Sequence, residues 1–263
     1  MLRSSFAFSL LLCLALTALP ARASTDYTDT WWGAAGAEGG WGVNLTQQKD
    51  SIYVTFYVYA LDGKPAWFAA LLNRDGHGDR FAGELFRTTG TYFGAPAWQG
   101  YKITPAGTAV FTATSSTTGT LAYSVDGVNV TKSIERITLA TLNVAGVYIG
   151  GVSGRRIGCT PSGPIVDPMQ FDILHSTLTG DIRIDQLSTT TGQRVCRMEG
   201  RTTQAGKLLT VENASYACVD GWDRPARIFN LRPTPAGFEA QWSSDAGNGC
   251  TETGQLSGVT QNP

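Results

Sequence analysis

Histidine is almost missing from this chain: 263 residues contain two, His77 and His175. A hydrolase that relies on a histidine base needs one of them beside a serine or cysteine nucleophile. His77 lies in the glycine-rich "RDGHGDR" and His175 in the strand-like "DILHST", and no Gly-x-Ser-x-Gly elbow occurs. A basic excess is missing too, with 20 Lys and Arg against 21 Asp and Glu, which excludes the positive field that nucleic-acid binding requires. No Cys-x-x-Cys spacing is present, which argues against a cysteine zinc site. After residue 23 no apolar run approaches the roughly 20 residues of a membrane span. Glycines 33, 36, 39, 40 and 42 form no phosphate cradle, because a strand pattern, "GVNLTQQ", follows them instead of a helix. No cofactor motif is found.

What is present begins with "MLRSSFAFSLLLCLALTALPARA". A basic start at Arg3, an apolar core and the small-x-small end Ala21-Arg22-Ala23 make residues 1–23 an export signal. Cys13 follows Leu11 and Leu12, which argues against lipidation. Four cysteines follow: Cys159, Cys196, Cys218 and Cys250. An even number in an exported chain points to two disulfides. Three pairings are open, and strand adjacency favours 196 with 218 and 159 with 250. Localisation is expected to be exported, either periplasmic or extracellular.

The hydrophobic pattern alternates, and no helical period is sustained. In "SIYVTFYVY", Ile52, Val54, Phe56 and Val58 face one way and Tyr53, Thr55, Tyr57 and Tyr59 the other. Asp62-Gly63 and Asp126-Gly127 are tight-turn dipeptides between such runs. The fold class expected is all-β, two antiparallel meander or barrel-like domains in tandem. Because all four cysteines beyond the export signal follow residue 158 and aromatics concentrate before it, the domains are drawn as an aromatic-rich 24–138 and a disulfide-bearing 139–263.

"TWWGAAGAEGGWGVNLTQQKDSIYVTFYVYALDGKPAWF" and "GTLAYSVDGVNVTKSIERIT" together resemble a module of exported proteobacterial proteins. The matching positions are Trp31, Trp32, Glu38, Gly40, Trp41, Gly42, Tyr59, Gly63, Pro65, Trp67, Lys132 and Ile134, and they cover most of residues 27–138. Gly39 departs from the serine often found at its position. The resemblance implies a β fold and an exported location, and it brings no reaction, ligand or catalytic residue with it. Residues 139–263 resemble, more loosely, the disulfide-bearing β module that follows in such proteins.

Three of the seven tryptophans fall between residues 31 and 41. Trp31 and Trp32 are adjacent, so on a strand they project to opposite faces and one inner face cannot hold both. The candidate ligand contacts are Trp31, Trp32, Trp41, Tyr57, Tyr59 and Trp67. Their flat rings with N–H and O–H groups suit a glycan, a peptide or an envelope component. Packing of the same rings inside a small β domain is the competing reading. The function expected is non-enzymatic binding, with docking of another envelope protein as one alternative. A glycoside hydrolase with Glu38 and Glu84 as paired carboxylates is the other. "NRDGHGDR", residues 73–80, lacks the spacing of a twelve-residue calcium loop and reads as a hairpin loop.

Overall fold

The computed structural model describes residues 25–36, 38–221 and 223–261; the export signal assigned to residues 1–23 lies outside them. Two closed antiparallel eight-stranded barrels follow one another along the chain. The first is an uninterrupted meander: β1 (Asp29–Gly33), β2 (Gly42–Gln48), β3 (Ser51–Tyr59), β4 (Pro65–Arg74), β5 (Arg80–Gly90), β6 (Tyr101–Ala113), β7 (Thr118–Val125) and β8 (Val128–Arg136). It closes where β1 pairs with β8, Trp31 opposite Arg136. The Asp126-Gly127 turn has positive φ at both residues, as a two-residue hairpin of this hand requires.

The second barrel comprises β9 (Gly146–Ile157), β10 (Gly163–His175), β11 (Asp181–Ser188), β12 (Arg194–Arg201), β14 (Leu208–Cys218), β15 (Asp223–Thr234), β16 (Gly237–Asp245) and β17 (Thr251–Thr260), with a three-residue β13 (Thr203–Ala205) attached to β14. It closes at two seams, β9 on β17 and β12 on β14. Cys196 and Cys218 face each other across the β12–β14 seam and are bonded. Cys159, just past β9, is bonded to Cys250, just before β17. Each bridge therefore fastens one of the barrel's two non-hairpin seams.

Alternation places one row of every strand inside. In the first barrel Trp31, Val43, Leu45, Ile52, Val54, Phe56, Leu72, Phe81, Leu85, Phe111, Leu121 and Ile134 are buried. The centre is filled by rings packed edge to face: Tyr27 on Phe111 with centroids 5.3 Å apart, and Trp31 on Phe111 at 5.4 Å. Burying each such side chain contributes on the order of 1.5–3 kcal/mol. The second core is mainly aliphatic, with Phe171, Phe238 and Trp242 as its large members. Among the described residues no helix is long and apolar enough to cross a membrane.

Polar contacts join the barrels. Arg136, the last residue of β8, is buried, its guanidinium 5.0 Å from the Trp31 ring. It donates to Asp29 Oδ2 (2.9 Å) and to the carbonyl oxygens of Asp26 (2.6 Å) and Ser116 (2.8 Å). The same Asp29 oxygen accepts the backbone N–H of Lys207 from the second barrel at 3.1 Å. Asp26 pairs with Lys207 and Arg232 at 3.5 and 3.3 Å.

Candidate functional site

The two-faced strand β3 resolves one way. Ile52, Val54 and Phe56 are fully buried, and Tyr53, Tyr57 and Tyr59 are about half exposed, at 49, 50 and 56%. The aliphatic row is the core and the tyrosine row is the barrel's outer wall. β4 extends that wall, because Tyr57 lies opposite Trp67 and Tyr53 opposite Leu71, both exposed. On the other side Tyr57 lies opposite Gly42 of β2. A Cβ at Gly42 would come within 2.9 Å of the Trp31 carbonyl oxygen, so glycine is required there by the close approach of β1. Asn44, also on β2, donates to the Tyr57 hydroxyl at 3.3 Å and accepts from Thr30 Oγ1 at 2.9 Å.

The tryptophan pair divides as adjacency demands. Trp31 is fully buried and its indole N–H donates to the Tyr27 carbonyl at 3.0 Å. It is therefore withdrawn from the ligand contacts: the inward row of β1 has only the filled core to face. Trp32 points outward, half-buried, opposite Glu135. Trp41 packs against the rim of the core with Val58, Ala66 and Tyr123. Of the six candidates, Tyr57, Tyr59 and Trp67 are exposed on the outer wall and Trp32 is half-buried there.

Several residues of the resemblance pattern form one structural unit. Lys132 and Glu38, 94 positions apart, make an ion pair at 2.6 Å beside Trp41, whose ring lies 5.9 Å from the Lys132 ammonium. The hydrogen bond from Lys132 holds the Glu38 carboxyl below its ordinary value, and the Trp41 N–H adds a smaller pull without forming a full hydrogen bond. Gly40, at φ +88°, brings the loop against Tyr59, leaving no room for a Cβ beside the tyrosine hydroxyl. Glu38 and Gly40 are thereby latched against Lys132 of β8 and Tyr59 of β3.

The first barrel also carries rings that the alternation pattern does not reveal. The β5–β6 connection, residues 91–100, projects from the end at which β4 begins. There Tyr92, Phe93 and Trp98 are 67, 95 and 71% exposed, followed by exposed Tyr101 and Ile103 at the start of β6. Its base is tied by Thr91, whose hydroxyl donates to Gly100 O at 3.0 Å and accepts from the Gln99 N–H at 2.8 Å. The Tyr92 and Phe93 rings lean together with centroids 4.6 Å apart. A signal was present in "GTYFGAPAWQGY": four rings among glycine, alanine and proline, in a stretch too short and irregular to hold a core.

The chemical alternatives lack assembled sites. Glu38 is engaged by Lys132, and Glu84 is exposed on the outer face opposite Thr108. The two carboxylates of the hydrolase reading are not brought together. His77 sits in an exposed loop of the first barrel, while His175 of the second is 3.2 Å from the Thr202 hydroxyl. In the 73–80 stretch, Asp79 pairs with Arg74 at 2.6 Å and Asp75 with Arg80. These carboxylates are used to tie a hairpin loop.

No family model matches the chain, and no curated protein matches it. Among solved structures it is similar to a double mutant of Transferrin Binding Protein B, a vaccine antigen of Haemophilus parasuis Hp5, with 11% identity and a TM-score of 0.35. The match covers 84% of this chain and 60% of that one, so the chain spans less than two thirds of the length of that protein.

Proposed function

We propose that the protein is an exported, non-enzymatic binding protein whose first barrel holds a glycan against its outer aromatic wall. One observation carries this reading. Among the described residues, every exposed aromatic ring belongs to the first barrel, while Tyr148, Phe171, Tyr216, Phe238 and Trp242 of the second are buried and Phe229 is half-buried. Exposed rings cost solubility and are kept where they meet a partner. Half-exposed tyrosine and tryptophan offer flat apolar contact beside hydrogen-bonding groups, which suits sugar rings. Asn44, Thr30 and the tyrosine hydroxyls supply the polar partners along the wall.

A peptide added as an extra strand is disfavoured by the topology. The closed part of the barrel offers no edge for strand addition, and the one-sided stretches are confined to the outer ends of β4, β5 and β6, where Tyr101–Pro105 pair with β5 but not with β7. Export is supported by the leader pattern and by two disulfides, which persist in oxidising compartments. We further propose that residues 27–138 are a copy of the exported module they resemble.

The test is a titration of intrinsic tryptophan fluorescence with soluble cell-wall glycan fragments, comparing the wild type with Trp67→Ala, Tyr57→Ala and Trp32→Ala. Each truncation is expected to cost at least about 1 kcal/mol, a several-fold loss of affinity, with the melting temperature little changed. A flat titration with every glycan, together with a stable complex with an envelope protein that the same three variants disrupt, favours protein docking at this wall instead.

A further inference from the structure

The first barrel is filled, but the second is hollow at one end. Inward-facing residues of all eight strands enclose a cavity of about 300 Å³. Its apolar lining includes Val152, Ile165, Met169 and the rings of Tyr216 and Trp242. Two neutral amide-type donors stand in that lining: Gln186 and Trp242 are each 1% exposed, and neither the Gln186 Nε2 nor the Trp242 Nε1 has a hydrogen-bond partner. A buried donor left without a partner costs about 1–3 kcal/mol. Two in one cavity mark a place built to receive acceptors.

Of the five charged groups in the lining, Glu252, Arg156 and Arg224 are matched to one another, while Asp167 and Asp220 are exposed. Glu252, 2% exposed, pairs with Arg156 at 2.7 Å and Arg224 at 3.3 Å, and accepts from Ser244 at 3.4 Å. Burial and then the Glu252 charge push the Tyr216 hydroxyl up to about 12, so it stays neutral. Arg156, Arg224 and Glu252 also border a more open vestibule of about 390 Å³ that runs past the Cys159–Cys250 bridge. Cys196 and Cys218 line the inner chamber, so the two disulfides fix the walls of both spaces.

We infer that this chamber is a second binding site, for a small uncharged molecule with a flat apolar body and a carbonyl-type oxygen that accepts from Gln186 and Trp242. The volume equals on the order of ten waters at about 30 Å³ each, at the lower end of ordinary ligand pockets. The class follows from the groups that lack partners. They are neutral donors; the buried carboxylate near them, Glu252, is paired with Arg156 and Arg224, and the other two acids of the lining, Asp167 and Asp220, are exposed.

The probes are benzamide, which has a flat ring and an acceptor oxygen, and benzamidine, which has the same shape but is cationic and has no acceptor. Both are titrated into the disulfide-bonded, 15N-labelled full chain while the indole N–H resonance of Trp242 is followed. Benzamide is expected to shift it saturably and benzamidine is not. Gln186→Leu is expected to weaken benzamide about ten-fold, as loss of one buried hydrogen bond implies. Val195→Trp, at the cavity wall, is expected to abolish the shift with the fold retained by circular dichroism. If that variant does not fold, the benzamide–benzamidine comparison and Gln186→Leu decide the matter. No saturable shift with benzamide, equal shifts with both probes, or unchanged affinity in Gln186→Leu overturns the inference and leaves a cavity that holds solvent only.

Discussion

Adjacent tryptophans with opposite fates give the sharpest contrast among residues. Trp31→Ala removes a fully buried ring packed on Phe111 and is expected to cost about 3–5 kcal/mol of stability. Trp67→Ala, at 51% exposure, is expected to change stability by less than about 1 kcal/mol. Thermal melts of the two variants measure the difference directly. A second residue-level outcome concerns the latch. In Lys132→Met the Glu38 carboxyl should titrate closer to 4.5, because its principal hydrogen-bond donor is gone; carbon-detected NMR of the side chain follows it. Adjacency alone dictates that Trp31 and Trp32 separate to opposite faces. It does not dictate which one goes inside, because the choice is made by closure of β1 on β8, a contact more than a hundred residues long-range. The Glu38–Lys132 pair was hidden for the same reason: two pattern positions 94 residues apart meet only in the closed barrel.

Among the elements, β3 shows how far alternation reaches. Two apolar rows on "SIYVTFYVY" establish a strand with two faces to satisfy, and hairpin dipeptides place its neighbours. Which row packs inside is set by volume, since a ring-filled centre of Tyr27, Trp31, Phe56, Phe81 and Phe111 has no space for three more tyrosines. The 91–100 connection escapes any periodic reading because its rings are not on a strand. Replacing it with a two-residue Asn-Gly turn is expected to leave the first barrel folded, because few of its groups pack inward, and to weaken glycan binding if its rings extend the wall. Melting and titration of one variant separate the two effects. The chamber in the second barrel was illegible for a different reason: its lining takes one to three residues from each of eight strands, and each strand by itself shows only ordinary alternation. The cysteine bridges allow a graded outcome. Loops of 91 and 22 residues predict losses of roughly 5 and 3 kcal/mol on removing Cys159–Cys250 and Cys196–Cys218 respectively, from chain entropy alone. Chemical denaturation of the two double-serine variants measures both.

At the scale of the whole molecule, the junction between barrels responds to acid. Burial raises the Asp26 carboxyl, but hydrogen bonds from Thr28, the charge of Lys207 and the bond from Arg232 outweigh it and hold the carboxyl below 3.8. A lowered folded value means the contribution is complete above the unfolded value near 3.8 and is lost as pH falls through the folded one. Scattering or limited proteolysis should therefore report a looser junction below about pH 3.8, and Asp26→Asn should be loose already at neutral pH. Both barrels also share one habit: the first strand pairs with the last, β1 with β8 and β9 with β17. No local sequence of hairpins can complete either one, which places folding among the slow, topologically costly cases of milliseconds to seconds. A chain threaded outward from its N-terminus would hold an open seven-strand sheet, with two unpaired edges, until the eighth strand emerged. In that interval the molecule is sticky toward its own kind, and afterwards it is not. The final strand of each barrel is thus less a structural addition than a clock, and its rate of arrival sets how long each half of the protein needs protection from misassembly.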